Sequence, residues 1–544
     1  MWATRQRRPT SGRPAVAIRL GTGHHLNPEY GLGGGKMARM SRTSIPLDPG
    51  RVMGLARQLT PTTVLSFGAA AVAVVALIDL GIRSAVDLNL RWDAFWYHIP
   101  FAALRGGLHI PYDMIDTMKP RFEGFPLLPE LVQGVLWRLT GSVNATGVVN
   151  FVALSVFLVY CHIVLHARFW LVALISLTAP MVLIHTTVSY VDLFSNAWLA
   201  IGAASCIYIY LFPADSSRAV LVGGLAGLAG TAWSKYQLVP IAALIFVLFA
   251  AASLRPAFAR RFGRRQVVVL LLAFAALASI PYAKNFVLYG NPFWPEKVPV
   301  VGGLFPYTED PVAYGVNEQR PASLKGAPQA ELFVLSLFEI HQPTSYPYRP
   351  RWIIDQGNTV DGFRMGGFWG IGTVIYLVAM VTMLIVSAGR AGIVVSIWVA
   401  AVLGFTAFIP QSNELRYFMY IPLTWAATIG MLYPRVRVKL PRVELGFLVL
   451  VLALFSYMVS ENWTHYQIQK VDYQDAADAW GASQWWSLLS PGETYCVVDM
   501  LPIGILMTGP TMSEYSIVNR SSVSLCPPAT ILVTEAGIQG RLPA

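Results

Sequence analysis

Between residues 61 and 460 the chain alternates apolar stretches with short polar or basic joints. A helix needs about 20 consecutive apolar residues to cross a bilayer. Runs of that kind are read at 61–82, 145–165, 169–188, 192–212, 219–234, 236–254, 266–286, 367–387, 392–410, 417–433 and 444–460. A further stretch at 125–140, FPLLPELVQGVLWRLT, is shorter and carries Glu130, Gln133 and Arg138. The pattern changes after 460, where a polar helical stretch (DYQDAADAWGASQWWSLL) precedes short strand-like runs, TYCVVDM and ILVTEA.

Charge in the joints orients these runs. Cytoplasmic loops carry an excess of Lys and Arg, and the strongest basic loops are RPAFARRFGRR (255–265) and PRVRVKLPR (434–442). Counting back from 255–265 through five spans puts residues 83–144 outside. Counting forward from a cytoplasmic N-terminus through one span gives the same side. The two counts agree only if 125–140 does not cross, so it is expected as an interfacial or re-entrant helix with its charges at headgroup level. The expected fold is an all-α polytopic membrane protein of about 11 transmembrane helices, with interfacial helices in the first outer loop and a small C-terminal extracytoplasmic α/β segment. The division reads as a disordered basic cytoplasmic tail (1–57), a transmembrane domain (58–460, outer loops 83–144 and 283–366) and an extracytoplasmic C-terminal domain (461–544).

Composition agrees with a membrane protein: 55% of residues are apolar and 13% charged, against about 25% charged in soluble domains. The net charge of +11 would suggest nucleic acid in a soluble chain, but residues 1–57 alone hold ten Lys/Arg against Glu29 and Asp48. No nucleic-acid partner is expected. Cys496 and Cys526 fall in the outer C-terminal segment, where an oxidising compartment makes a disulfide between them plausible.

Ionisable groups at span ends are costly and mark functional sites by default. On this topology they gather on the outer side: Asp93, Tyr97 and His98 in RWDAFWYHIP, Glu123 in FEGFP, Asp192 in SYVDLFSN, Lys235 and Tyr236 in AWSKYQLVP, Lys284 and Asn285 in PYAKNFVLYGNPFWP, and Arg416 and Tyr417 in QSNELRYFMYIP. Each has a structural alternative. Asp93 could pair with Arg91, Asp192 could cap its helix, and Lys235 and Arg416 could reach to the interface as span-end cations. Together, a carboxylate to accept a proton and cations to hold a phosphate suit a reaction on a lipid phosphate. If the chain is α-helical from 92, Asp93 and Tyr97 share a face. No phosphate-binding glycine loop or zinc spacing is present. Carboxylates could hold a divalent cation, but their spacing demands none.

These motifs, in this order, resemble those of the GT-C fold glycosyltransferases, which use polyprenyl-phosphate sugars and include protein mannosyltransferases, aminoarabinose transferases and bacterial relatives. The matching stretches are WDAFWYHIP, FEGFPLLPELVQGVLWRLTG, YVD, WSKYQ, KNFVLYGNPFWP and LRYFMYIP, spread through most of 61–435. The resemblance implies a hexosyl- or pentosyltransferase of the cell envelope, in a bacterial inner or plasma membrane, with its active site outside. Its partners would be a polyprenyl-phosphate-linked sugar donor, a glycan, lipid or protein acceptor, and membrane lipids. It implies Asp93 as catalytic base, Asp192 as a second acid, Lys235 and Arg416 at the lipid phosphate, and Lys284 where relatives commonly carry Arg. Many relatives place two adjacent acids in the first loop, whereas Ala94 follows Asp93 here. A transporter or flippase of lipid-linked sugars and a lipid-linked glycan polymerase or ligase are the alternatives.

Overall fold

A computed structural model describes residues 60–543 except 89, 111, 299–302, 314–323, 325, 341–351, 355, 358–364, 440, 500–502, 509–514 and 536. The basic tail at 1–57 and part of the outer loop at 283–366 lie outside the described residues.

The apolar runs are helical. In chain order the main helices are α1 (Pro61–Val86), α2 (Ile99–Arg105), α3 (Leu128–Thr140), α4 (Ala145–Ile163), α5 (Phe169–Leu177), α6 (Pro180–His185), α7 (Asp192–Leu211), α8 (Arg218–Ala232), α9 (Val239–Ser253), α10 (Arg264–Tyr289), α11 (Gly370–Ala388), α12 (Arg390–Ala407), α13 (Tyr420–Lys439) and α14 (Pro441–Glu461). Local chemistry sets several ends. Thr60 caps α1 by accepting from Thr63 N, with Pro61 at the first helical position. Gly141 and Gly290, both left-handed, close α3 and α10.

Among the described residues, eight helices are long and apolar enough to cross a membrane, so this is an integral membrane protein. The other three expected runs take different forms. Pro180 splits 169–188 into α5 and α6, because it cannot donate within a helix and disfavours helical backbone before it. The run at 219–234 gives the 15-residue α8. The run at 417–433 begins with a 3-10 turn, Leu415–Phe418, before α13.

Helix α7 is the hub of the bundle and is buried on nearly every side. Helix α8 packs so closely on it that a Cβ at Gly227 would lie 2.6 Å from the Trp198 carbonyl oxygen. Helices α1 and α10 expose most of their apolar surface and would face lipid.

The stretch at 125–140 forms the 13-residue α3, about 20 Å long at 1.5 Å per residue and too short to span. Two of its polar groups turn into the protein. Glu130 and Gln133 are buried against the protein, where Glu130 accepts from Arg105 at 3.1 Å and the Gln133 amide donates to Ser189 O at 2.7 Å. A buried partner satisfies a charge that lipid cannot.

After α14 the chain forms short helices, among them α15 (Tyr473–Ala479) and α16 (Ile503–Leu506), and most of a five-stranded sheet. Its strands are β1 (Tyr112–Asp113), β2 (Thr494–Val498), β3 (Ser516–Arg520), β4 (Ile531–Thr534) and β5 (Gly537–Arg541), ordered β1-β3-β2-β4-β5. The central pairings are parallel and β4–β5 is antiparallel. Strand β1 belongs to the first loop, so this sheet ties the C-terminal segment to the loop that carries Asp93. Cys496 and Cys526 form a disulfide.

Candidate active site

The segment bearing Asp93 is wound more loosely than an α-helix. Residues Ala94–His98 form a π-helical turn leading into α2. The simple i, i+4 register of Asp93 and Tyr97 is therefore lost, yet both side chains border one cavity of about 730 Å³. Its wall is drawn from the first loop (Trp92, Asp93, Trp96, Tyr97, His98, Arg121, Glu130), the turn before α9 (Lys235, Tyr236), the segment after α10 (Glu296, Glu309) and the turn before α13 (Arg416, Tyr417).

Two ion pairs hold the cations Arg416 and Lys235 at this cavity. Arg416, 3% exposed, places Nη1 3.3 Å from Asp93 Oδ2 and Nε 3.5 Å from Glu414. Its Nη2 donates to the Tyr417 hydroxyl at 2.8 Å. Lys235 pairs with Asp192 through Nζ and Oδ1 and lies 4.0 Å from the centre of the Tyr417 ring. Tyr417 thus separates the two cations and contacts both. The Asp192 carboxylate makes no capping bond to α7; the ion pair has taken its place. Asn150 fixes the entry to α7 by donating to Val188 O and Tyr190 O and accepting from Phe194 N. Asn196 accepts from Tyr420 N at 2.8 Å, which locks α7 to α13 close to Arg416.

His98 is buried, with Nδ1 3.3 Å from Glu130. Burial opposes the Glu130 charge, but His98 and Arg105 more than offset this and hold its carboxyl below the usual range. Tyr236 donates to Trp294 O at 2.7 Å, and Asn285 donates to the Tyr236 hydroxyl at 2.7 Å and to Gly124 O at 2.8 Å. Asn285 therefore supports the wall from behind.

The expected residues do not all converge. Asp93, Tyr97, His98, Lys235, Tyr236, Arg416 and Tyr417 line the cavity, while Asp192 and Asn285 stand behind it. Lys284 and Glu123 lie elsewhere on the surface. Lys284 Nζ donates to the Glu123 backbone oxygen at 2.6 Å, and the Glu123 carboxylate accepts from Tyr289. The exit of α10 turns Lys284 toward that neighbour and Asn285 inward.

The structure also brings in residues that sequence reading missed. Arg121 makes a two-nitrogen contact with Glu309, at 2.7 Å from both Nε and Nη2, and lies over Trp96 at 5.3 Å. Glu296 has its carboxyl pushed up to about 7, by burial first and then by Glu309, with Arg121 and Lys235 opposing. Glu296 directly follows the GNPFWP turn, which was the one local signal for it; nothing local links Arg121 to Glu309. Among the described residues, no three His, Cys, Asp or Glu side chains gather as a metal site.

The architecture is that of a polytopic membrane protein with a polar cavity walled by loops between its spans. No protein-family model and no curated protein matches the sequence. Among solved structures, the fold is similar to that of ArnT from Cupriavidus metallidurans bound to undecaprenyl phosphate. The TM-score is 0.50 at 13% sequence identity, covering 84% of this chain and 86% of that one. ArnT from the same organism in the apo state gives a TM-score of 0.49 at 13% identity, over 85% and 87% of the two chains. The chain has the GT-C fold.

Proposed function

We propose that the protein is an inverting glycosyltransferase that moves a sugar from a polyprenyl-phosphate donor to an acceptor hydroxyl on the extracytoplasmic face. The observation that carries this reading is the pairing of Asp93 with Arg416 at 3.3 Å in the wall of a polar cavity that also receives Lys235. The fold shared with ArnT, solved with undecaprenyl phosphate, supports the donor class.

Without donor, each cation rests on a carboxylate. Donor phosphate entering the cavity offers the planar Arg416 guanidinium two oxygens to bond at once and releases Asp93 toward the acceptor. Asp93 takes the proton of the acceptor hydroxyl. The acceptor oxygen bonds to the anomeric carbon opposite the phosphate, and the anomeric C–O bond breaks with its electron pair going to the phosphate oxygen. Arg416 and Lys235 stabilise that charge, so the leaving group needs no strong acid. Asp192 keeps Lys235 in place. In the membrane, we read eleven crossings with the N-terminus cytoplasmic, and residues 461–544 outside as a separate extracytoplasmic unit.

The test uses the full chain in lipid nanodiscs with polyprenyl-phosphate sugars, measuring release of polyprenyl phosphate. Asp93→Asn should abolish release while still binding undecaprenyl phosphate; Arg416→Gln should weaken that binding at least about tenfold. Wild-type turnover by Asp93→Asn would remove it as the base. Movement of intact donor across the bilayer without cleavage would replace transfer by transport.

A further inference from the structure

Asp87, Leu88, Leu90 and Trp92, between α1 and the turn that follows Asp93, are held by the C-terminal segment. The Asp87 carboxylate accepts from Gln469 N at 3.1 Å and Lys470 N at 2.5 Å, with Arg83 Nε at 3.3 Å. Lys470 has φ 57°, so its left-handed backbone helps to turn successive N–H groups toward one anion. Leu88 N donates to Val471 O at 2.9 Å. Trp480 Nε1 donates to Leu90 O at 3.1 Å, and its ring meets Trp92 edge-on at 5.7 Å. Trp92 in turn meets Trp96 at 6.3 Å, and both border the cavity.

The holding segment is itself braced. Asp472 and Asp475 form a reciprocal cap at the start of α15. Helix α16 packs against the π-helical turn and is fixed in place by Tyr473, which donates to Ile505 O at 2.7 Å, and by Trp486, which donates to Leu506 O at 3.0 Å. The middle of the first loop is tied down as well, by β1–β3 pairing and by Arg520 on Asp113 at 2.5 Å. The start and the middle of the loop therefore both rest on the C-terminal segment.

We propose that this segment positions Asp93, with Trp480 as the principal positioning residue; this rests on the reading of Asp93 as the base. The π-helical turn is anchored by α2 at its C-terminal end, but Asp87, Leu88, Leu90 and Arg91 before it carry no regular structure to fix its other end. The Trp480 hydrogen bond and the Trp480–Trp92–Trp96 contact supply that constraint from outside the bundle. A displacement of about 1 Å at a reacting group costs on the order of a hundredfold in rate.

The experiment compares Trp480→Ala, Trp480→Phe, the distant surface control Arg541→Ala and Asp93→Asn, all in full-length protein in nanodiscs. Trp480→Ala should lower kcat about 10- to 100-fold, with KM for the lipid donor within about twofold of wild type. Trp480→Phe keeps the ring, loses the N–H, and should recover most of that loss. Hydrogen exchange at residues 90–98 should quicken about tenfold or more in Trp480→Ala, with α7 unchanged. Arg541→Ala should behave as wild type. Unchanged exchange at 90–98, or unchanged kcat in Trp480→Ala while Asp93→Asn is inactive, overturns the positioning role. Full activity in Asp93→Asn overturns the base instead, and the exchange measurement still decides whether Trp480 holds the turn.

Discussion

Replacing Asp192 by Asn removes one member of an ion pair whose side chains are 3% (Asp192) and 12% (Lys235) exposed. Breaking a buried pair from one side costs about 3–5 kcal/mol, because the remaining charge loses its partner without regaining water. Two features reduce that figure here. Lys235 keeps the Tyr417 ring at 4.0 Å, a contact worth about 0.5–2 kcal/mol, and it borders the polar cavity, into which the ammonium can turn. The net loss for Asp192→Asn should therefore be about 2–3 kcal/mol. Lys235→Met should cost more, about 4 kcal/mol, since Asp192 has no cavity to turn toward.

The double variant leaves a neutral amide beside an apolar chain and should cost only about 1–2 kcal/mol. The coupling from the cycle is then about 4 kcal/mol or more, well above the 0.5 kcal/mol within which independent sites add. Unfolding free energies by SDS titration in mixed micelles would measure it. Single variants within about 0.5 kcal/mol of wild type, or an additive double variant, would refute the pair as a structural unit. On the proposed reading, the folded double variant should also bind undecaprenyl phosphate more weakly than wild type, which would separate a phosphate role of Lys235 from its role in stability.

Glu296 gives a pH signature. Its folded carboxyl is pushed up to about 7 from an ordinary 4.5, so the folded state binds the proton more tightly and stability falls as pH rises from about 4.5 through 7. Glu296→Gln should be the more stable protein at pH 8, by up to about 3 kcal/mol, and should match wild type near pH 4; equal curves at both pH values would contradict this. The Cys496–Cys526 bridge spans 30 residues of sequence, so Cys496→Ser should cost the C-terminal sheet about 3–4 kcal/mol, read as faster exchange in β2 and β4 with the spans unaffected. In the first loop, a Cβ at Gly134 would lie 2.0 Å from the Ala102 carbonyl oxygen; Gly134→Ala should therefore push α3 off α2 and destabilise by about 1–3 kcal/mol, measurable by SDS titration.

The spans were legible because the bilayer imposes a length on each, and eight of the eleven runs need no tertiary context to be recognised. Asp93, Lys235 and Arg416 stood out for the related reason that a charge at a span end is costly. Lys284 met the same criterion, but its amine is spent on the Glu123 carbonyl; a cation at a span end shows that a partner exists, not that the partner is a substrate. The break at Pro180 was written in the sequence and is local. The pairing of Arg121 with Glu309, 188 residues apart, and the recruitment of Tyr112–Asp113 as an edge strand beside Ser516–Arg520 were not, because only the assembled fold brings those segments together.

The cavity cations differ in how firmly their carboxylates are held. Lys235 rests on Asp192, which is enclosed at the head of α7 and backed by the Asn150 hydrogen bonds to the adjoining turn. Arg416 rests on Asp93, which is 14% exposed, borders the cavity and lies at the start of the π-helical turn. Of the two pairs, only the second can exchange its carboxylate for an incoming phosphate without stranding a charge in the protein interior. That asymmetry divides the labour between the acids. On the proposed reading, Asp192 would stay paired with Lys235 through the cycle, while Asp93 would be released when the phosphate arrives and be free to take a proton. On that reading, a base held by the same cation that binds the leaving group would become available only once the donor is seated, which would couple donor binding to deprotonation of the acceptor.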